Sequence, residues 1–512
     1  MKRHIRIILC ALAAYLILLF LLVAVESNSE DATIHSFWDA LWFSVITMTT
    51  VGYGDLSPVT HAGRLLGVIF ALCSIGILTA LIGIGLNLLS GEFLPRIRLR
   101  LGRRQKWYIF SVENEDSASL AAALRRGDRD CILLFPPEGE SCCCKEKHLH
   151  LNWNASEILK LRGGSEGVRL FFMDADERKN YVDALSACEQ GLSCCCMCSS
   201  APGDVPEELQ LFSPIEAMSR GYWQEHPLLA DETIVLLVGC GENGSALLER
   251  ALLTNAFEKG RRIEYHVFDD TVSFPSLHPE IVRALSPGQP DGDLLVFHSE
   301  KWTDARLLIE KADRVIFCYD SDKDNIRALD RLRSWFVASA DVHIRLSEDT
   351  PGLVCFGTRE KMMRPELVIK DELNRRAKLM NDIYNIGEKE PHKWTELSPF
   401  LRQSNIAAAD HLIVKARCLL ENDRLTVLSS EDCRKAAMRW NELTDDRRIR
   451  LMEMEHRRWM RFHLMYNWTC DPSRDNPRRR HPLLRPFDEL SAEDQAKDAY
   501  AWEMLEKIAE SQ

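Results

Sequence analysis

Two uncharged apolar runs decide most of what this 512-residue chain can become. They extend from Ile7 to Val25 and from Leu65 to Leu89, and roughly 20 apolar residues suffice to cross a bilayer as a helix. Both are expected to be membrane spans. Lys2, Arg3 and Arg6 would suit a cleaved leader, but the apolar core that follows exceeds the roughly 7–15 residues of a leader and has no small-residue cleavage site behind it. Basic residues precede the first run and follow the second (Arg96, Arg98, Arg100, Arg103, Arg104, Lys106), whereas the segment between holds Glu26, Glu30, Asp31, Asp39 and Asp55 against Arg64. Positive-inside asymmetry puts both ends of the chain in the cytoplasm, as an integral protein of the cytoplasmic (inner) membrane. A mean hydropathy of -0.18 excludes a chain that is membrane throughout. Ten Lys/Arg face six Asp/Glu through Lys106, and 54 face 70 in the remainder. An acidic body repels phosphate backbones, so nucleic acid is not an expected partner despite Arg478, Arg479 and Arg480. The 17 cysteines are clustered in a long chain rather than spaced as a disulfide framework, which points to a reducing compartment.

Between the runs, Ser36-Phe37-Trp38-Asp39 reads as a helix start, and the apolar stretch Ala40 to Met48 is too short to cross a bilayer. A re-entrant half-helix is expected. It delivers the chain to Thr49-Thr50-Val51-Gly52-Tyr53-Gly54-Asp55, which resembles the potassium-channel signature at every position. Stripping water from potassium needs backbone carbonyls aimed at one axis, and glycines permit the backbone angles this requires. Thr50, Val51, Gly52, Tyr53 and Gly54 are therefore expected to form a selectivity filter holding potassium ions, supported by Thr49, Asp55 and Trp42. The resemblance to two-span channels implies a homotetramer, since one chain carries one filter segment. No regularly spaced arginines suggest a voltage sensor, so gating is expected from cytoplasmic ligands, with Gly76 as hinge candidate beside Gly83 and Gly85.

Past the basic linker 92–106, strand-like runs at Trp107–Val112, Cys131–Phe135 and Val168–Met173 flank a helical Ser117–Arg126. The alternation reads as α/β with a parallel sheet, and the order resembles the regulator-of-potassium-conductance domain. Glu113-Asn114-Glu115-Asp116 stands where phosphate-binding glycines would be needed. This first lobe (107–230) is expected to be structural, with a cation site as the alternative. In a second lobe (231–350), the run Ile234–Val238 leads to Gly239-Cys240-Gly241-Glu242-Asn243-Gly244, and a further strand ends at Asp269. Gly239, Gly241, Gly244 and Asp269 are candidate nucleotide or dinucleotide ligands, against the reading that the glycines serve strand-to-helix packing. Further strands are expected at Leu294–Phe297, Arg314–Cys318 and Val342–Leu346. By the same resemblance, four chains with two lobes each would supply an eight-lobed ring.

The segment with Cys142, Cys143, Cys144, His148, His150, Cys188 and Cys194–Cys198 is expected to be a tolerant surface loop, with zinc binding or redox sensitivity as alternatives. No metal is assigned. A helical region (351–446) follows, with helices at Glu372–Tyr384, Trp394–Ser404 and Ala407–Leu420. The last segment, 447–512, carries Glu455-His456-x-Arg458-Trp459, Asn467-Trp468, Asp471-Pro472-x-Arg474-Asp475 and His481-Pro482 running to Pro486-Phe487-Asp488-Glu489-Leu490. It resembles the ryanodine-receptor (RyR) repeat over nearly all of that repeat's length. Leu464 and Trp468 are expected on one helical face with Trp459 or Met460, and Asp488 or Ser491 as a cap. His456, Trp459, Trp468, Arg474 and His481 are ligand candidates, since rings can stack on a base and cations can meet a phosphate; core packing is the other reading of the tryptophans.

The fold expected is a membrane α-helical two-span pore module (1–91), then α/β Rossmann-like cytoplasmic domains and a small all-α C-terminal domain. The function expected is a potassium-selective channel gated by a nucleotide-like small molecule, without catalysis. A non-conducting membrane-anchored nucleotide sensor and a membrane-tethered NAD-dependent oxidoreductase are the alternatives.

Overall fold

Ser36 starts a helix as its spacing predicts: its Oγ accepts from the Asp39 amide while the Asp39 carboxylate accepts from the Ser36 amide. The computed structural model describes residues 2–90, 93–137, 143–200, 205–269, 273–337, 339–386 and 390–511, leaving the side chains of 2–12, 73–78, 80–81 and 84–90 outside that description. The chain divides into two units, Met1–Leu101 and Gly102–Gln512.

The first unit holds α1 (Lys2–Glu26), α2 (Phe37–Met48), α3 (His61–Ser90) and α4 (Phe93–Leu101). Leu19 and Leu22 of α1, Ala40 and Phe43 of α2 and Phe70 of α3 share one apolar cluster. The Glu26 carboxylate, fully buried, accepts from the amides of Val59 (2.9 Å) and Thr60 (3.1 Å) and so ties the end of α1 to the turn before α3. A Cβ on Gly63 would collide with that carboxylate. Ile17, Phe20, Leu65 and Leu72 remain exposed on this single chain. Among the described residues no helix is long and apolar enough to cross a membrane. Much of the two expected spans, Ile7–Val25 and Leu65–Leu89, lies outside the described side chains, as do the surroundings of Gly76, whose backbone is helical.

The second unit contains two six-stranded parallel sheets. The strands of the first are β1 (Trp107–Phe110), β2 (Ile132–Phe135), β3 (Leu149–His150), β4 (Val168–Phe172), β5 (Ser193–Met197) and β6 (Leu209–Phe212), in the order β3-β2-β1-β4-β5-β6. Those of the second are β7 (Ile234–Val238), β8 (Glu264–Phe268), β9 (Leu294–His298), β10 (Arg314–Phe317), β11 (Asp341–Arg345) and β12 (Val354–Phe356), in the order β12-β11-β10-β7-β8-β9. Both share one doubly wound topology, whose order reverses between the first and fourth strands and opens a crevice at their carboxyl ends. Each central strand is a near-continuous apolar run because both faces are covered.

The cysteine-rich segment corrects the sequence reading. Cys194, Cys195 and Cys196 are fully buried in β5, registered against Leu170, Phe171 and Phe172 of β4, so they form core strand rather than a surface loop. Cysteine here behaves as a small hydrophobe. Burial pushes the Cys195 thiol up to about 11 and that of Cys196 upward too, which disfavours both the metal-ligand and the redox-loop readings for them. Cys142 lies outside the described residues. The expected helices Trp394–Ser404 and Ala407–Leu420 are one helix, Pro399–Leu420, begun by the Ser398 cap and Pro399.

The helices Pro399–Leu420, Ser430–Glu442, Asp445–Met465 and Tyr500–Ser511 share one core with a face of the second sheet, in which Leu252, Val267, Leu412, Phe462 and Trp502 take part. Arg461, fully buried, crosses this core: its Nε donates to Asp291 Oδ2 at 2.9 Å and Nη2 to Asp293 Oδ2 at 2.7 Å. Burial acts to raise the Asp291 carboxyl, but Arg461 and Arg457 outweigh it and hold it down to about 2. A depressed carboxyl stabilises the fold fully above its unfolded value near about 3.9, and that stabilisation disappears as pH falls toward about 2. Asp291→Ala should cost about 3–5 kcal/mol by leaving Arg461 short of its partner, and should flatten the loss of stability between about pH 4 and pH 2, both read from denaturant melts across pH.

Candidate functional site

The residues after α2 combine unusual backbone with local support. Thr50, Gly52 and Gly54 have φ of 59°, 57° and 74°, in the left-handed region, while Val51 and Tyr53 between them do not. Alternating handedness turns successive peptide planes the same way, so the carbonyls of this stretch form a row instead of pointing alternately as in a strand. A non-glycine residue resists such angles, which is why glycine fills two of the three positions. The Val51 and Gly52 amides donate back to Ile46 O at 3.0 and 3.2 Å, anchoring the start of the row on α2. Trp42 on α2 donates its Nε1 to Asp55 Oδ2 at 2.9 Å and stacks against Tyr53, with centroids 6.3 Å apart. Thr49 Oγ1 donates to Val45 O at 2.9 Å.

The second lobe presents its glycines at the β7 carboxyl end, but the amides of Cys240, Glu242 and Asn243, which lie between them, already have acceptors. Asp320, just past β10, accepts from the Glu242 and Asn243 amides at 3.0 and 2.9 Å and from Asn243 Nδ2 at 2.8 Å. Burial acts to raise the Asp320 carboxyl, yet these donors and Arg345 hold it below the usual carboxylate range. Asp269, the candidate for a ribose hydroxyl, accepts from the Cys240 amide through Oδ2. The chain's own carboxylates thus occupy the helix N-terminus where a pyrophosphate would sit. The glycines have their own reason: Gly239 has φ 93°, and a Cβ there would meet the Tyr319 backbone, one on Gly241 the Asp320 carboxylate, and one on Gly244 the Gly239 carbonyl. Close packing accounts for Gly239, Gly241 and Gly244, and the residues present do not fit a dinucleotide in this arrangement.

The terminal helices enclose a cavity of about 890 Å³ lined by His456, Trp459, Arg474 and His481, four of the five ligand candidates from the last segment. That volume lies within the range of small-molecule sites. Trp459 stands between His456, stacked on it with centroids 5.6 Å apart, and His481, edge-on at 5.0 Å. His456 Nε2 bonds Arg485 O at 2.9 Å and Nδ1 faces Asp498 at 3.2 Å. Burial, with Arg474 and Lys497 nearby, holds the His481 imidazole below its ordinary value. Its Nδ1 accepts from the Leu483 amide at 3.2 Å, so the neutral ring carries its hydrogen on Nε2. Trp468 does not line the cavity: it is buried and stacked on Phe400 at 5.4 Å. It also lies beyond the helix, which ends at Met465, so it does not share a helical face with Trp459. Ser491, not Asp488, caps the following helix. Glu455 accepts from Arg458 at 2.7 Å and pairs with Lys415 at 2.8 Å in a buried charge network, with Glu455 and Arg458 on the cavity wall. Sequence reasoning missed Tyr384, Lys497 and Asp498, which come from distant segments with no shared motif.

Asp320→Ala should destabilise the chain by about 0.5–2 kcal/mol, as loss of a helix cap does, while raising pyrophosphate affinity at least about tenfold over the parent; calorimetry with inorganic pyrophosphate checks both parts.

Residues 6–90 match the family model described as "Ion channel". Over 64 residues the chain is 45% identical to the voltage-gated potassium channel of Aeropyrum pernix, covering 12% of this chain and 22% of that protein. Over 55 residues it is 47% identical to potassium voltage-gated channel subfamily A member 6 of Homo sapiens, covering 10% of each. The chain therefore spans less than a quarter of the length of these curated relatives. Among solved structures it is similar to GsuK bound to ADP, with a TM-score of 0.42 and 14% identity over 72% of this chain and 100% of that one. It is also similar to the GsuK channel bound to NAD, with a TM-score of 0.37 and 11% identity over 72% of this chain and 85% of that one. Residues 6–90 carry an ion-channel domain similar to the pore segment of potassium channels.

Proposed function

We propose that this chain is one subunit of a homotetrameric potassium-selective channel in the cytoplasmic membrane, gated by a small nucleotide-like ligand on its cytoplasmic side. The observation that carries the proposal is the left-handed backbone at Thr50, Gly52 and Gly54, which lines up carbonyls that accept no backbone hydrogen bond among the described residues. One such row cannot surround an ion, and four chains about an axis complete the cage that replaces its hydration shell. Trp42 and Asp55 brace the row from outside, and the exposed apolar residues of α1 and α3 suit lipid and neighbouring subunits. The basic residues flanking the two apolar runs support an orientation with both cytoplasmic flanks on the inner face.

For the ligand, the terminal cavity is favoured over the glycine loop. It offers an aromatic face at Trp459, a donor at His481 Nε2 and cations at Arg474 and Lys497, a set that suits a base and a phosphate together. To move a pore from 1:99 to 99:1 open, ligand must favour one state by about 5.5 kcal/mol, or roughly 1.4 per site if four act together. One or two charge-assisted hydrogen bonds per chain reach that scale.

In vesicles reconstituted with the purified chain, Gly52→Ala should abolish selective potassium flux while the tetramer persists on size-exclusion chromatography; a variant that conducts potassium over sodium as the parent does contradicts the filter assignment. With ADP as probe, Trp459→Ala and Arg474→Ala should each shift the half-maximal concentration for its effect on flux at least about tenfold without altering selectivity. A response unchanged in both variants would move the sensor away from this cavity.

A further inference from the structure

The carboxyl edge of the first sheet holds a second constellation, in the lobe that lacks phosphate-binding glycines. Glu113 follows β1 with its side chain 1% exposed, and its Oε1 accepts from the Cys144 amide at 3.2 Å. Its Oε2 lies 4.0 Å from His150 Nε2. His150 Nε2 in turn lies 2.9 Å from His148 Nε2. The other nitrogen of each ring faces a backbone carbonyl: His148 Nδ1 meets Glu146 O at 2.7 Å and His150 Nδ1 meets Pro136 O at 3.0 Å.

A carbonyl only accepts, so each Nδ1 carries the hydrogen and each neutral ring turns a bare lone pair outward from Nε2. Two lone pairs 2.9 Å apart, beside a buried carboxylate, repel unless a cation stands between them. We infer that Glu113, His148 and His150 form a zinc-type transition-metal site in the first lobe. Carbonyl-bound Nδ1 groups are the outer-shell partners that orient metal-binding histidines. A tetrahedral ion about 2.0–2.1 Å from each ligand needs ligand atoms roughly 3.3 Å apart. The three ligand atoms lie within 4.8 Å of one another, and the 2.9 and 4.0 Å spacings bracket that need. Two imidazoles and one carboxylate suit zinc, whereas calcium asks for six to eight oxygens, more than the described residues of this edge offer. The exposed side of His150 leaves a fourth position open to water or to a further ligand.

The ion would join the turn after β1 to β3 and to the segment before it that carries His148, across the intervening β2. This site stands independently of whether the pore conducts. The histidine pair was visible in the sequence only as part of the cysteine cluster; among the described residues its partner is the acidic turn after β1.

Zinc sulfate titrated by calorimetry into the full chain, stripped by chelator dialysis, should bind one ion per chain, and His148→Ala with His150→Ala should weaken binding at least about 100-fold with the metal-free melting temperature unchanged. Cobalt bound to the unmutated chain should give the visible bands of a tetrahedral site without the intense near-ultraviolet band of a thiolate ligand, and millimolar calcium chloride should not displace it. Parent-like zinc affinity in the double variant, a thiolate band, displacement by calcium, or failure of zinc to bind at tens of micromolar, as expected if a shared proton holds the two rings, would each overturn the assignment.

Discussion

In the proposed filter, a row of carbonyls aimed at one axis has to be held by something other than its own hydrogen bonds, because those carbonyls must stay available to an ion. The residues from Thr50 to Gly54 meet this constraint through alternating backbone handedness, and the adjoining structure supplies the restraint. The amides of Val51 and Gly52 return to α2, whose apolar face packs with α1 and α3. Trp42 grips both Tyr53 and Asp55. The buried Glu26 carboxylate fixes the turn through which the chain leaves for α3. These contacts thus hold in place five residues that have no regular secondary structure of their own.

The two lobes show how one topology separates into different chemistry at one edge. Both reverse strand order at the same place, and that reversal opens a crevice whatever the sequence there. In the second lobe Asp320 and Asp269 satisfy the amides that would cradle a phosphate. In the first, Glu113 and two imidazoles converge as the proposed metal site. The terminal helices, which border the proposed ligand cavity, pack into the core of the second lobe through Arg461 and its two aspartates. The helix that carries Arg461 also lines the terminal cavity, so one buried element runs from that cavity to the lobe.

How much of this the sequence revealed depends on where the information lies. The Ser36–Asp39 start, the glycines at 52 and 54 and most central strands are local signals, and each lies where its spacing indicates. The strand Ser193–Met197 was hidden because cysteine is ambiguous between ligand and hydrophobe, and only burial against β4 decides. Asp320 was invisible as an anion substitute because it stands about 80 residues from the amides it caps. His456, Trp459, Arg474 and His481 were legible as a motif, but Trp468 was not separable from them, since an aromatic residue in a motif packs a core as readily as it lines a cavity.

The central claim is that four copies of Thr50–Gly54 make a pore that selects potassium. Current across a planar bilayer containing the unmodified chain, with potassium on one side and sodium on the other, tests it most directly. The account predicts a reversal potential far toward the potassium equilibrium value; a reversal near zero, or no current under any concentration of ADP or zinc, would contradict it.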